Sequence, residues 1–220
     1  MDRTRARQIA NEFLDRGDTK GWFEALYKEA QGDPKKIPWA DMAPNPNLIE
    51  WLNTNSLLGA GKKALVTGCG LGDDAEELSK RGFAVTACDI SAEAIQWCRR
   101  RFLESKASYV VADVCKLPQD WSNQFDFILE ISTLQVLPAQ HRPMAMDGLA
   151  RCVASGGRLL VIARGREPLD DPGKMPWPLT RDEVRYFARL GLQEARFEDF
   201  ADHENPPVRR FRIEYHKNSR

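Results

Sequence analysis

No stretch of this 220-residue chain reaches the roughly 18 consecutive apolar residues that a membrane helix needs, so no spanning segment is expected. Net charge is lacking as well. Lys and Arg total 32, as do Asp and Glu, which leaves no global field to recruit nucleic acid or an anionic lipid surface. No Cys-x-x-Cys spacing occurs among Cys69, Cys88, Cys98, Cys115 and Cys152, and their number is odd. A disulfide framework and a zinc site are therefore not expected, and a reducing, cytoplasmic setting is. Met1 to Arg7 is basic, but no apolar run follows it, so it does not read as a secretory signal. Histidine is scarce: His141 is placed at a helix start, and His203 and His216 are read as surface residues. What remains is an ordinary globular composition in a length that suits one α/β domain.

The most informative stretch is Lys63-Ala64-Leu65-Val66-Thr67-Gly68-Cys69-Gly70-Leu71-Gly72-Asp73-Asp74. A short apolar run ends in alternating glycines, and an acidic, helix-prone segment follows at once. Strand, glycine turn and helix N-terminus in that order is how α/β folds cradle a nucleotide-bearing ligand. Glycine suits such a turn because the backbone bends tightly and the ligand approaches where a Cβ would collide.

The rest of the chain fits around that turn. Residues 1–17 and 22–30 read as helices, the second with an aromatic stripe of Trp22, Phe23, Leu26 and Tyr27. Four prolines between Asp33 and Pro46 exclude a regular element there and suggest a stiffened lid loop carrying Trp39. Asn47 is expected to cap a short helix through Trp51 and Leu52. Strands are predicted at 63–67, 83–88, 108–112, 125–130, 157–164, 192–199 and 208–216, with helices at 74–81, 92–104, 141–154 and 180–190. The early strands are short and apolar, as a parallel sheet buried on both faces requires. The last strand follows its predecessor too closely for a helical crossover, so it is expected to run antiparallel. The predicted fold is α/β and Rossmann-like, a seven-stranded, mostly parallel sheet with an antiparallel last strand and helices on both faces. Residues 1–60 supply N-terminal helices and the Pro/Trp lid, and 61–220 the core.

The glycine spacing separates three ligand classes. A dinucleotide site asks for G-x-G-x-x-G, and here Asp73 occupies the last position; a phosphate loop asks for a Lys-Ser/Thr that is missing. Asp73, Asp74, Glu76 and Glu77 would repel a pyrophosphate but tolerate a ligand bearing an ammonium and a sulfonium. G-x-G-x-G is the turn of class I S-adenosylmethionine methyltransferases. Asp89 falls at the end of the second strand, where a carboxylate accepts both ribose hydroxyls. Asp113 ends the third strand within reach of an adenine amino group, Ile90 and Val114 would sandwich the ring, and Glu130 ends the fourth strand beside the methyl donor.

Further motifs resemble one branch of that class, the thiopurine, thiol and halide methyltransferases. Val66 stands two residues before the first glycine, where most class I enzymes carry an acid and this branch carries Val. Pro38-Trp39 and Pro44-Asn45-Pro46 match its lid pattern Pro-Trp-x4-Pro-x-Pro, and Trp22 with Tyr27 matches an upstream aromatic pair. Pro138 with Arg142-Pro143, the Asp171-to-Trp177 loop and Asp182-Glu183-Val184 extend the similarity along the chain. Thr67 and Asp73 depart from the branch's Pro and Tyr, and Leu134-Gln135 replaces an aromatic pair near its acceptor pocket.

The resemblance implies S-adenosyl-L-methionine as cofactor, with Trp22, Tyr27 and Trp39 closing over it. Gly68, Cys69, Gly70, Asp74, Asp89, Ile90, Asp113, Val114 and Glu130 would hold it. Asp41, Leu134 and Trp177 are the candidates for acceptor contact; no residue is assigned a catalytic role, and no metal is expected. The expected partner is a small-molecule acceptor, most readily a thiol or other sulfur or heterocyclic nucleophile, on a monomer or weak homodimer. Methylation of nitrogen or oxygen, or cofactor binding without turnover, are the alternatives.

Overall fold

The computed structural model describes residues 3–219, so the first two residues of the predicted first helix lie outside the described residues. Seven strands form one sheet in the order β3-β2-β1-β4-β5-β7-β6. They are β1 (Lys63–Thr67), β2 (Ala84–Asp89), β3 (Ser108–Val111), β4 (Phe125–Ile131), β5 (Val153–Arg164), β6 (Leu192–Ala201) and β7 (Arg209–Lys217). Strands β1 to β5 pair in parallel, whereas β7 lies antiparallel between β5 and β6. The chain order reverses direction at β1, between β2 and β4, which opens a crevice at the C-terminal strand ends where Thr67, Asp89 and Ile131 lie.

The helices are α1 (Thr4–Leu14), α2 (Gly21–Ala30), α3 (Pro46–Thr54), α4 (Asp73–Lys80), α5 (Ala92–Arg101), α6 (Arg142–Cys152), α7 (Arg181–Val184) and α8 (Tyr186–Arg189). Among the described residues, no helix is long and apolar enough to cross a membrane.

Side-chain alternation along the strands sorts the core. From β4, Phe127 and Leu129 point toward α3, α4 and α5, packing with Trp51, Leu78 and Ile95. Ile128 points to the other face, packing with Met146 and Leu149 of α6 and Phe187 of α8. A third cluster joins Trp22, Leu26 and Tyr27 of α2 to Ile9 of α1, Trp97 of α5 and Leu71 of the glycine turn. Trp22 and Tyr27 are each 1% exposed, and burial of side chains that size contributes about 1.5–3 kcal/mol apiece. The N-terminal helices are thus anchored on the core next to the crevice.

Four local expectations are corrected. The cap of α3 is Asn45, whose Oδ1 accepts from Asn47 N at 3.0 Å, with Pro46 at the first helical position. Asp33 caps a 3-10 turn at Pro34–Lys36 inside the proline-rich loop, using φ angles proline already prefers. β5 begins at Val153 rather than 157, because a shift in register beside Phe125 lets Val153 pair before Gly156 bends the chain at φ +73°. The 180–190 segment breaks into α7 and α8 at Arg185, although a capping box starts it, with Thr180 and Glu183 exchanging both bonds.

Candidate cofactor and acceptor site

Three glycines build the turn after β1, and all take positive φ: Gly68 at +59°, Gly70 at +54° and Gly72 at +91°. The conformation alone favours glycine. The surroundings add to it, since a Cβ on Gly68 would meet Thr133 Oγ1 at 2.1 Å and one on Gly70 would meet Tyr27 Oη at 3.3 Å. The turn is tied to the end of β2. Asp89, 7% exposed, accepts from Gly70 N at 3.0 Å through one carboxylate oxygen and from Ser91 N at 2.9 Å through the other. Burial pushes this carboxyl up to about 6, opposed by those backbone donors.

Above the turn, Trp39 Nε1 donates to Tyr27 Oη at 2.8 Å, and Trp22 meets Trp39 edge-on with centroids 6.0 Å apart. The lid loop is also fixed from below, where Asp74 Oδ1 accepts from Asn45 N at 2.7 Å. Burial raises the Asp74 carboxyl to about 6.

These groups line a cavity of about 580 Å³, a size suited to a nucleoside ligand together with a small second molecule. The structure brings Trp22, Tyr27 and Trp39 to its wall with Gly68, Cys69 and Gly70. Asp74, Asp89, Ile90, Asp113 and Val114 line it too, and Asp41 stands exposed at its rim. Asp113 is already engaged: Lys20 pairs with one oxygen, and Cys115 N donates to the other at 2.9 Å.

Three expected residues do not reach the cavity. Glu130 lies between Leu129 and Ile131, which do line it, so strand alternation turns Glu130 to the opposite face. There its Oε1 accepts from Thr133 N at 2.7 Å and Leu134 N at 2.9 Å, while Oε2 is buried without a partner among the described residues. Burial raises this carboxyl to about 7. Glu130 thus shapes the turn after β4 instead of facing a ligand. Leu134 is fully buried in the α6 cluster, and Trp177 packs outside the cavity with its N–H on Gln135 O at 2.7 Å.

The acidic run after the turn is largely spent inside the protein. Asp73 pairs with Arg101 at 2.7 and 2.8 Å, Glu77 with Arg81 at 2.8 Å, and Glu76 accepts from Tyr109 Oη at 2.7 Å. Arg101 is therefore a tie between α5 and the glycine turn.

Sequence reasoning missed the far end of the cavity. Arg3 and Arg7 from the start of α1, Arg164 from the end of β5, His203 and Glu204 from the β6–β7 connection, and Arg210 from the start of β7 all line it. Nothing in their spacing advertises this, because the topology alone brings residues 3, 164 and 210 together.

Residues 64–157 match the family model described as a methyltransferase domain. The ubiquinone biosynthesis O-methyltransferase of Dechloromonas aromatica (strain RCB) is 29% identical over 126 residues, 56% of this chain and 53% of that one. Methyltransferase GfsG of Streptomyces halstedii is 33% identical over 148 residues, 63% of this chain and 51% of that one. This chain therefore spans about half the length of the curated relatives it matches. Among solved structures, the magnesium protoporphyrin IX methyltransferase of Synechocystis PCC 6803 with bound S-adenosylmethionine superposes with a TM-score of 0.69 at 16% identity, covering 91% of this chain and 98% of that one. The fold is the Rossmann-like one of class I methyltransferases.

Proposed function

We propose that this chain, whose residues 64–157 match a methyltransferase domain, is an enzyme that transfers a methyl group from S-adenosyl-L-methionine to a small-molecule acceptor. The observation that carries the reading is Asp89: a buried carboxylate at the end of β2, bonded to the glycine turn and open to the cavity. Its remaining lone pairs would accept the paired hydroxyls of a ribose. Tyr27 and Trp39 cover Gly70, where a Cβ would stand 3.3 Å from Tyr27 Oη, and Ile90 and Val114 offer apolar walls for a flat base.

When bound, the cofactor supplies an activated methyl group, so catalysis needs mainly in-line orientation of the acceptor and exclusion of water. Such positioning is worth about 7–11 kcal/mol of barrier. The Trp22–Tyr27–Trp39 cover, anchored in its own apolar cluster, supplies the exclusion. A soft sulfur nucleophile needs little help from a base, which agrees with the lid motif's likeness to thiol and thiopurine enzymes. Oxygen is the second reading, favoured by the ubiquinone O-methyltransferase relatives. His203 at the cavity then becomes the base candidate.

Titration calorimetry with S-adenosylmethionine and its demethylated product, on wild type and Asp89→Ala, tests the cofactor. Saturable binding that the substitution weakens at least about tenfold is expected from losing charge-assisted bonds. Binding indifferent to Asp89, or none at all, would remove the proposal. A panel of thiols, phenols and heterocycles, scored for methylated product, then separates sulfur from oxygen.

A further inference from the structure

Arg164 and Arg210 are directly opposed across the β5–β7 ladder, and both face the cavity. Like charges in that relation are destabilising unless something neutralises them. Arg210 is neutralised from within: Asp202 accepts from its Nε at 2.6 Å, and Glu204 pairs with its other nitrogen. Arg164 is not. Its backbone N–H is held by Gln135 Oε1 at 2.7 Å, but its half-buried guanidinium has no hydrogen bond or ion pair among the described residues.

Its neighbours sharpen the imbalance. Arg3 and Arg7 line the same end of the cavity, and the only side-chain bond either makes among the described residues is Arg7 Nε to Met175 O at 2.8 Å. Burial, with Arg3 and Arg210 nearby, holds the Arg164 guanidinium down at about 10, against the smaller opposing pull of Glu204 and Asp202. Arg164 is thus an arginine that lines space a ligand can enter and has no counter-charge bonded to it among the described residues.

We propose that Arg164 is the specificity-determining residue of the acceptor site and that the acceptor carries a carboxylate, seated on the Arg164 guanidinium with Arg3 and Arg7 beside it. This deepens the methyltransferase reading and rests on it for the identity of the second ligand. A carboxylate fits better than a phosphate because Asp41 and Glu204 line the same end. One negative charge answers the unpaired guanidinium bidentately, whereas a dianion would meet those two acids. The opposite end of the cavity, with Asp89, Asp113 and the glycine turn, is left to the nucleoside.

The test uses protein saturated with S-adenosylhomocysteine and titrated calorimetrically with carboxylate and carboxamide pairs: benzoate and benzamide, 4-mercaptobenzoate and 4-mercaptobenzamide, cinnamate and cinnamamide. Inorganic phosphate is titrated alongside. At least one carboxylate is expected to bind about tenfold tighter than its amide, the preference collapsing in Arg164→Gln and surviving in part in Arg164→Lys. Relief of the opposed charges should raise the melting temperature of Arg164→Gln without ligand, and its S-adenosylhomocysteine affinity should match wild type. Equal binding within every pair, a preference that persists in Arg164→Gln, or tighter binding of phosphate than of any carboxylate overturns the assignment. Failure of wild type to bind S-adenosylhomocysteine overturns the methyltransferase reading instead, so the two failures are distinguishable.

Discussion

Trp39 and Tyr27 share a hydrogen bond of 2.8 Å directly over Gly70, with Tyr27 Oη only 3.3 Å from where a Cβ of that glycine would sit. The proline-rich loop and the glycine turn are therefore one packed unit. Tyr27 is fully buried, and burial drives its hydroxyl well above the usual tyrosine range, so it stays protonated.

Removing that hydroxyl should loosen the unit while leaving the ring in place. Tyr27→Phe leaves Trp39 Nε1 without its acceptor, a loss of about 1–3 kcal/mol. The melting temperature should fall, and S-adenosylhomocysteine should bind roughly tenfold more weakly. A calorimetric titration beside a thermal melt checks both; unchanged affinity would mean that the lid does not bear on the ligand.

Cofactor affinity should depend on pH through Asp89. Burial pushes its carboxyl up to about 6. The ribose hydroxyls need the ionised form as acceptor, so binding is strong above that value and falls as pH drops through it. Between pH 8 and pH 5 the dissociation constant should rise about tenfold. In Asp89→Asn the weak binding should be flat across the same range, which titrations at a series of pH values would show.

Glu130 should act on stability with the opposite sense. Its carboxyl is raised from 4.5 to about 7, so it favours the fold when protonated, and that contribution is lost as pH rises through about 7. Glu130→Gln removes the ionisation at a position whose Oε2 has no partner. Denaturant melts should find the variant more stable than wild type at pH 8.5, by on the order of 2–3 kcal/mol, with the gap closing by pH 5. A gap that widens toward acid would contradict the assignment.

Gly68→Ala should be costly for two separable reasons. The positive φ alone costs a side chain about 1–2 kcal/mol, and the added Cβ falls 2.1 Å from Thr133 Oγ1 and 3.1 Å from Thr133 Cγ2. Thr133→Ala deletes these two atoms and leaves only Thr133 Cβ, at 3.1 Å. In a double-mutant cycle by denaturant melts, it should recover most of the steric share and leave the backbone share. Strict additivity would show that the two residues do not meet.

The glycine-turn end of the cavity was legible because its lining residues sit in short, contiguous motifs. A glycine turn, an aspartate at a strand end and a Pro-Trp loop each announce themselves within a few residues. Glu130 was misread for a reason of the same scale: its neighbours Leu129 and Ile131 line the cavity, and a period of two sends the residue between them the other way. The fate of Asp73 depended on an arginine 28 residues on, and that of Asp113 on a lysine 93 residues back. Arg164 looked like any base closing a strand. Only the antiparallel insertion of β7 between β5 and β6 sets it opposite Arg210 and over residues from the other end of the chain.

That same insertion orders events during synthesis. Every residue assigned here to the nucleoside lies between Trp22 and Val114, so the turn and its lid have all their parts well before β7 leaves the ribosome. The arginine end needs Arg3, Arg164 and Arg210 at once and cannot exist until β7 slots into the sheet. In a nascent chain the glycine-turn end of the cavity can thus have all its parts while the arginine-lined end still lacks two of its own.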